Sequence, residues 1–208
     1  MEGLTGRLVE QAVASRPHTG ETVSGDAWWV EESRDTVRVA VVDGLGHGPE
    51  AATASKCAIT LLREGAREEL LVLLKRCHAG LSDTRGVVLS LAHLDAAAGT
   101  VTWAGVGNVT CILARPREKD CVRVEALMPA HGVLGRRIPP LIARTLSLAA
   151  GDVLILATDG VKADFQDDLP ALDPLQRAAD EILRRFGAGA DDALVMLLRY
   201  RGAPARLP

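Results

Sequence analysis

The sequence is poor in aromatic side chains and has no excess of basic ones. Only two Phe, one Tyr and three Trp occur among its 208 residues, and 24 Lys and Arg stand against 27 Asp and Glu, for a formal net charge of −3. Proteins that bind nucleic acid usually carry basic patches and often stack bases on aromatic rings. The composition therefore argues against nucleic acid as a partner and indicates a core of aliphatic side chains.

Patterned cysteines and long apolar runs are also missing. No two of the four cysteines form a C-x-x-C pair, which argues against zinc ribbons and dithiol redox sites; they are Cys57, Cys77, Cys111 and Cys121. No stretch approaches the roughly 18 uncharged apolar residues of a membrane span, and residues 1–11 lack the apolar segment of a signal peptide. We therefore expect a cytoplasmic protein with reduced thiols and no membrane association.

Two spacings resemble known ligand-binding motifs but lack what those motifs require. The glycines of residues 44–48 do not have the G-x-G-x-x-G spacing, and Asp43 before them would repel a pyrophosphate. Cys57 and Cys111 each precede an arginine with the C-x5-R spacing of cysteine phosphatases, yet the residues between follow helix and strand patterns without glycine. The sequence therefore favours neither a dinucleotide site nor a cysteine nucleophile.

The hydrophobic pattern predicts an α+β protein. Strands are predicted over residues 6–15, 26–31, 37–42, 87–94, 100–106, 108–114, 122–127, 141–148, 153–158 and 193–200. Helices are predicted over residues 48–64, 67–79 and 173–186, and a loop over 128–140. This order places the helices outside an antiparallel sheet. Because no repeat or linker interrupts it, we expect a single domain over residues 1–208.

Aspartates stand at the ends of four predicted strands. Asp43 and Asp159 each follow an apolar strand, Asp26 begins another, and Asp191 and Asp192 precede the last one. Converging carboxylates repel each other unless a cation lies between them, and oxygen ligands suit Mg²⁺ or Mn²⁺. Each Asp-Gly pair alone is also a common turn dipeptide. Their shared position at strand ends nevertheless favours a metal centre.

Five short motifs occur in the order that is typical of one enzyme family. They are S-G-D (24–26), V-V-D-G-L-G-H-G (41–48), G-V-G-N (105–108), G-D with A-T-D-G (151–152 and 157–160) and G-A-D-D-A (189–193). With them the sequence resembles the metal-dependent PPM family of serine/threonine phosphatases, in its compact bacterial branch of SpoIIE-like and RsbX-like members. The resemblance implies a four-layer αββα sandwich, in which helices flank two antiparallel sheets and a two-metal centre lies at one end.

The resemblance also implies roles for individual residues. Asp43 would bridge two Mn²⁺ or Mg²⁺ ions, and the Gly44 carbonyl with water would complete the shell of one of them. Asp159 and Asp191 would hold the other ion, and Asp26 would bind or orient water. Because two ions can activate a water that attacks phosphorus, the family needs no protein nucleophile.

Other positions match the family less closely. Arg16 is a candidate for gripping the phosphate by its position alone, and Asp164 is a weak candidate ligand for a third metal. His47 is a candidate general acid, although a structural or supporting role is favoured over it. Leu194 stands where the family usually has Thr. These departures affect substrate binding and metal number more than the type of reaction.

The leading hypothesis is a phosphatase for phosphoserine and phosphothreonine. The resemblance implies that its substrates are phosphorylated stressosome scaffold or anti-sigma-antagonist-like proteins, so that the enzyme resets a stress signal as a negative regulator. We expect a stand-alone enzyme, since the motifs leave no room for a fused sensor, and a monomer, since no predicted helix face demands a partner. Two alternatives stay open: an inactive PPM-like module that binds a phosphoprotein, and a phosphatase for small metabolites.

Overall fold

The computed structural model describes residues 7–116, 122–138 and 140–203. The strands in these ranges are β1 (Val9–Arg16), β2 (Asp26–Glu32), β3 (Thr36–Gly44), β4 (Val87–Asp95), β5 (Thr100–Val106), β6 (Thr110–Pro116), β7 (Val122–Leu127), β8 (Arg144–Ser147), β9 (Val153–Ala157) and β10 (Ala193–Tyr200). The helices are α1 (Gly48–Glu64), α2 (Leu70–Gly80) and α3 (Leu175–Phe186), with a 3-10 helix over Ala163–Asp167. Four residues that belong to predictions above lie outside the described residues, namely Gly6, Arg117, Cys121 and Pro139.

The strands form two antiparallel five-stranded sheets. One sheet has the order β1-β10-β9-β6-β7, and the other has the order β2-β3-β4-β5-β8. Side chains such as Val41, Trp103 and Met196 form the core between the sheets. Strands β9 and β10 read as continuous apolar runs because they are buried on both faces.

The helices cover the outer face of each sheet. Helices α1 and α2 pack on the second sheet through residues such as Leu62 and Leu74, and α3 packs on the first through Ala179 and Ile182. The predicted four-layer αββα architecture is therefore confirmed. Within the described ranges, no helix is both long enough and apolar enough to cross a membrane.

The strand register places the predicted site residues at one end of this sandwich. In the second sheet, Asp26 at the start of β2 lies directly opposite Asp43 near the end of β3. In the first sheet, Asp159 follows β9 and Asp191 precedes β10, and these two strands are antiparallel neighbours. The two sheets meet here, because the Thr158 hydroxyl donates a 2.7 Å hydrogen bond to Asp26.

Several predicted boundaries differ from the structure by a few residues, and one short helix was not predicted. Strand β8 is shorter than predicted, because Leu141 and Ala143 pack against the α2 side of the second sheet before the strand begins. Helix α2 begins at Leu70, because residues 65–68 form a turn in which the Glu68 amide donates to the Gly65 carbonyl. The 3-10 helix was not predicted, since five residues are too few to show a helical period.

Candidate metal centre

Three of the predicted aspartates line a single cavity at the end of the sandwich. Asp43, Asp159 and Asp191 reach it from different elements, and its volume is about 500 Å³. Asp26 lies beside Asp43 in the strand register, and Gly44 follows Asp43 in the chain. The structure thus brings together the five residues that the family resemblance implied for the two-metal centre, namely Asp26, Asp43, Gly44, Asp159 and Asp191.

These carboxylates raise one another's pKa. Burial raises the pKa of Asp43 to about 8, and the negative charges of the surrounding aspartates add to this effect. Burial and the same kind of repulsion raise the pKa of Asp26 to about 7, although the hydrogen bond from Thr158 opposes the shift. The pKa of Asp159 is also raised, by burial first and then by Asp191. The fold therefore brings together carboxylates whose ionised forms repel one another, and a bound cation would relieve this repulsion.

Two side-chain donors orient the carboxylates. Thr158 donates to Oδ2 of Asp26, and the Thr158 hydroxyl in turn accepts a hydrogen bond from the Leu194 amide. The Asn108 side-chain amide donates a 2.6 Å hydrogen bond to Oδ2 of Asp159. In the sequence, Thr158 and Asn108 are recognisable only as members of the family motifs, and no local pattern assigns either of them a role.

Asp191 and Asp192 are neighbours with different surroundings. Asp191 lines the cavity, whereas Asp192 is only 4% exposed. The Asp192 carboxylate accepts hydrogen bonds from the backbone amides of His18 (2.8 Å) and Gly25 (2.9 Å). Asp192 therefore fastens the segment between β1 and β2 to the start of β10. No local pattern in the sequence predicts this role, because the two partners are 174 and 167 residues away.

Glycine is required beside two of the aspartates by close backbone contacts. A Cβ atom on Gly44 would lie 2.2 Å from the Ala51 carbonyl oxygen, and one on Gly160 would lie 1.9 Å from the Asp192 carbonyl oxygen. Neither distance is compatible with a side chain, and both obstacles are backbone atoms. These glycines allow the loops after β3 and β9 to pack against α1 and β10.

The donor set fits a hard divalent cation. All the candidate ligands are oxygens, and Oδ1 of Asp26 is buried with no hydrogen-bond partner in the structure. In the described part of the chain, no three His, Cys, Asp or Glu side chains lie close enough together to hold a metal ion by themselves. A backbone carbonyl such as that of Gly44, together with water, would therefore have to complete the shell, as is usual for Mg²⁺.

Other candidates from the sequence lie at or outside the rim. His47 lines the cavity, as do His18 and His131, which the sequence analysis missed. The Arg16 guanidinium donates to the Ala188 carbonyl at 3.1 Å, and Asp164 is an exposed residue of the 3-10 helix. The structure therefore gives neither Arg16 nor Asp164 a contact with the four site aspartates.

Two of the three cysteines that the structure describes are poorly suited to act as nucleophiles. Cys77 and Cys111 are buried, and burial raises the pKa of the Cys77 thiol to about 12 and that of the Cys111 thiol above its ordinary value. A buried thiol in apolar surroundings is inert. Of the two C-x5-R pairs, the first lies within α1, where the backbone amides are used by the helix.

The raised pKa values predict how the stability of the metal-free protein depends on pH. A carboxyl whose pKa is higher in the folded state stabilises the fold while it is protonated, and this contribution is lost as the pH rises through the folded value. For Asp26, whose pKa moves from 3.8 to about 7, the full effect is about 4 kcal/mol. We expect the free energy of unfolding in chelator to fall from about pH 4 to about pH 7 as Asp26 ionises, and on to about pH 8 as Asp43 ionises.

Urea unfolding at several pH values in excess chelator measures this dependence. The Asp26→Asn variant should show a flatter profile over the same range, since its side chain does not titrate. Equal stability of the wild type at both ends of the range would contradict the electrostatic account of the site.

Comparison with known proteins agrees with the motif order and the fold. The family described as Stage II sporulation protein E (SpoIIE) matches residues 33–201. The chain is 26% identical over 180 residues to the phosphoserine phosphatase RsbX of Bacillus subtilis (strain 168), an alignment that covers 86% of this chain and 88% of the relative.

Solved structures show the same architecture. A chain from work on the bacterial stressosome as a modular system that controls secondary messenger signaling superimposes with a TM-score of 0.81 at 28% identity, and covers 92% of this chain and 99% of that one. A structure of RsbX in complex with magnesium superimposes with a TM-score of 0.82 at 22% identity. This superposition covers 92% of this chain and 95% of the RsbX chain.

The motifs, the fold and these relatives together define an enzyme of the PPM class, a protein phosphatase. Within that class, the chain belongs to the SpoIIE family.

Proposed function

We propose that this enzyme hydrolyses phosphoserine or phosphothreonine on stressosome scaffold or anti-sigma-antagonist-like proteins. The observation that carries the proposal is the convergence of Asp43, Asp159 and Asp191 on one cavity, with Asp26 beside them. The similarity of the chain to RsbX, a phosphoserine phosphatase, supports the reaction. The stressosome origin of a structural relative supports the choice of substrates.

The reaction would depend on two Mn²⁺ or Mg²⁺ ions. Asp43 would contact both, the Gly44 carbonyl would serve one, and Asp159 with Asp191 would hold the other, while Asp26 would bind or orient water. When bound, such ions neutralise phosphate charge and supply a nucleophilic water at neutral pH. The magnesium complex of RsbX supports a divalent cation for this fold.

The chain's own residues prepare the site for this chemistry. Asn108 holds the orientation of Asp159, and Thr158 holds that of Asp26. Asp192 fixes the segment that leads into β2, so that Asp26 keeps its place opposite Asp43. Side chains held by such supporting contacts bring the reacting groups into a fixed geometry and lower the cost of reaching the transition state.

Beyond the reaction, the enzyme would have a role in stress signalling. We propose that the enzyme acts in the cytoplasm as a monomer with one catalytic domain, and that it resets a stress signal as a negative regulator. The relationship to the phosphoserine phosphatase RsbX supports the dephosphorylation on which this role would depend.

Hydrolysis of a phosphoserine peptide tests the reaction. We expect phosphate release with Mn²⁺, no release in excess chelator, and a loss of at least about 100-fold in kcat/KM for Asp159→Asn, because a charge at the reacting centre is removed. Full activity in chelator, or in this variant, would contradict a cation-dependent mechanism. Wild-type protein that binds the peptide without hydrolysing it would instead indicate an inactive phosphoprotein-binding module.

Substrate class needs a second experiment. Rates should be compared on a phosphorylated stressosome scaffold protein and on free phosphoserine at equal concentration. We expect the folded phosphoprotein to be the better substrate by kcat/KM. Preference for the free phosphomonoester would indicate a metabolite phosphatase.

A further inference from the structure

A second cavity lies along one side of the sandwich and takes no part in the proposed chemistry. It has a volume of about 1080 Å³ and is lined by residues of both β1 and β2, each of which is the edge strand of its sheet. Backbone N–H and C=O groups at the edge of a sheet are free to pair with another chain. This cavity, which we call the edge groove, is therefore a place where an added strand can pair.

The strand register shows which backbone groups of β2 face the edge groove. The Gly44 amide donates to the Gly25 carbonyl, and hydrogen-bonded pairs alternate with non-hydrogen-bonded pairs along antiparallel strands. Trp28 and Val30 therefore belong to non-hydrogen-bonded pairs with β3, and their N–H and C=O groups point away from that strand. Within the described ranges, no other element forms a backbone hydrogen bond with these groups.

The edge of β1 is less accessible than that of β2. The Gln176 side-chain amide of α3 donates a 2.9 Å hydrogen bond to the Val13 carbonyl, which covers part of the β1 edge. At the far end of β2, the Glu32 carboxylate accepts a hydrogen bond from the Leu8 amide and links the two strands. The stretch of β2 between Asp26 and Glu32 is therefore the open edge of the groove.

The edge groove is basic, although the chain as a whole is acidic. Its described charged lining residues are Arg7, Arg34, Arg63 and Glu32, in a chain with a formal net charge of −3. Glu32 already accepts the hydrogen bond from Leu8, whereas none of the three arginines forms an ion pair with a described acidic residue. The groove therefore complements a negatively charged ligand.

Trp28 gives the edge groove an exposed aromatic surface. It is 41% exposed, whereas Trp29 and Trp103 are only 4% and 2% exposed. Tryptophan and arginine are the residue types that are enriched where a few side chains carry most of the energy of binding between proteins. An exposed Trp in a groove with three arginines favours a protein ligand that offers both apolar and acidic side chains.

We propose that the edge groove binds an acidic, extended segment of the phosphoprotein substrate, which pairs with β2 as an additional strand. The assignment of the segment to the substrate rests on the proposed function. Backbone groups of the segment bond with those of Trp28 and Val30, an apolar side chain covers the Trp28 ring, and acidic side chains meet the arginines. Trp28 lies two residues from Asp26, or about 7 Å along the strand, so a docked segment keeps its phosphoprotein beside the metal centre.

Binding of a designed peptide tests the groove. A fluorescently labelled heptapeptide in which acidic and apolar residues alternate, ELDVELD, should bind the wild type in anisotropy titrations, and Trp28→Ala should weaken this binding at least about 10-fold. Arg34→Gln should weaken it about 2- to 5-fold, since an exposed ion pair contributes little. Val72→Ala and Arg123→Gln are matched controls, because both residues are exposed and lie outside the groove, and they should leave the affinity unchanged.

Modified peptides test whether the ligand is an added strand. N-methyl groups on every second residue remove the hydrogen-bond donors along one edge of the peptide, and two such peptides, offset by one residue, cover both edges. A strand that pairs with β2 uses only one of its edges. One methylated peptide should therefore bind at least about 10-fold more weakly than the other, because several hydrogen bonds are lost together. Equal affinity of both would contradict strand addition.

Coupling to catalysis tests whether the segment belongs to the substrate. A phosphoserine peptide is joined to ELDVELD by a four-glycine linker, on either side of the phosphoserine. With saturating Mn²⁺, at least one of the two arrangements should lower KM at least about 5-fold relative to the unextended peptide, because docking raises the local concentration of the phosphoserine. We expect kcat to stay unchanged. Trp28→Ala should remove this advantage in KM and leave both constants on the unextended peptide as in the wild type.

The outcomes separate the docking site from the proposed function. If the wild type hydrolyses the unextended peptide but does not bind ELDVELD, or if Trp28→Ala binds it equally well, the docking site is wrong while the phosphatase stands. Binding that leaves KM unchanged in both arrangements would contradict the substrate as the source of the segment. Peptide binding without hydrolysis of any phosphopeptide would support the groove and overturn the proposed function.

Two other occupants of the groove have distinct signatures. A thymidine oligonucleotide of equal net charge that binds more tightly than ELDVELD would overturn the choice of a protein ligand, since aromatic and basic side chains also bind single-stranded nucleic acid. Self-association of the wild type in sedimentation experiments, lost in Trp28→Ala, would show that a second copy of this chain occupies the groove and would likewise overturn the proposal.

Discussion

Replacing Asp43 with Asn should remove activity and at the same time stabilise the metal-free protein. Asp43 is the aspartate whose pKa is raised most clearly, to about 8, by burial and by the carboxylates around it. Asn has the same shape without the charge, so the repulsion disappears. At pH 7 we expect the free energy of unfolding in chelator to rise by about 2–4 kcal/mol.

The same substitution should lower kcat/KM on a phosphoserine peptide by at least about 100-fold, because it removes the charge at the centre of the site. It should also weaken Mn²⁺ binding in calorimetric titrations, a readout that does not depend on turnover. Asp83→Asn is a matched control, since Asp83 is exposed and lies outside the cavity. Loss of stability in Asp43→Asn, or near-normal activity, would contradict the assignment.

These opposite effects have a common cause. A site that holds several carboxylates ready for cations is unfavourable without them, and the rest of the fold must supply the stability that the site lowers. The strands that carry the site are among the most apolar in the protein: all five residues of β9 are buried, as are seven of the eight in β10. The aspartates stand where these rigid, water-excluded strands end.

The sequence was sufficient to predict the strands and the acids at their ends. Apolar runs followed by Asp-Gly are local features, and β3 and β9 are each buried among neighbouring strands as the runs indicate. The opposition of Asp26 and Asp43 follows from antiparallel pairing of adjacent strands. The meeting of the two sheets at one end came from the family resemblance, since no spacing within the chain encodes it.

The supporting contacts could not be predicted from local patterns. His47 meets Glu21 across 26 residues, and the segment between β1 and β2 that carries Glu21 and His18 has no periodicity from which its path could be inferred. Likewise, Asn108 reaches Asp159 from 51 residues away. Hydrogen bonds of this kind depend on loop paths and side-chain directions, which appear only once both sheets are assembled.

Asp192→Ala should destabilise the protein strongly, although the substitution removes a negative charge from an acidic region. The Asp192 carboxylate is the acceptor for the His18 and Gly25 amides, and the Gly25 bond is buried. Each donor left without a partner costs about 1–3 kcal/mol, so we expect a loss of about 3 kcal/mol in total. For a chain of this size, that corresponds to a fall in Tm of about 6–12 °C.

Asp191→Ala is the matched variant one residue away, and it should behave in the opposite manner. Asp191 lines the cavity and accepts a single hydrogen bond, from the Asp192 amide at 2.8 Å. Its loss should leave Tm in chelator within about 3 °C of the wild type and should weaken the stabilisation that added Mn²⁺ provides. Thermal unfolding with and without Mn²⁺ measures both variants, and equal Tm losses in chelator would show that the neighbouring aspartates do not divide binding and structural roles. The structure already separates the two residues: Asp191 lines the cavity, and the Asp192 carboxylate accepts hydrogen bonds from the backbone amides of His18 and Gly25.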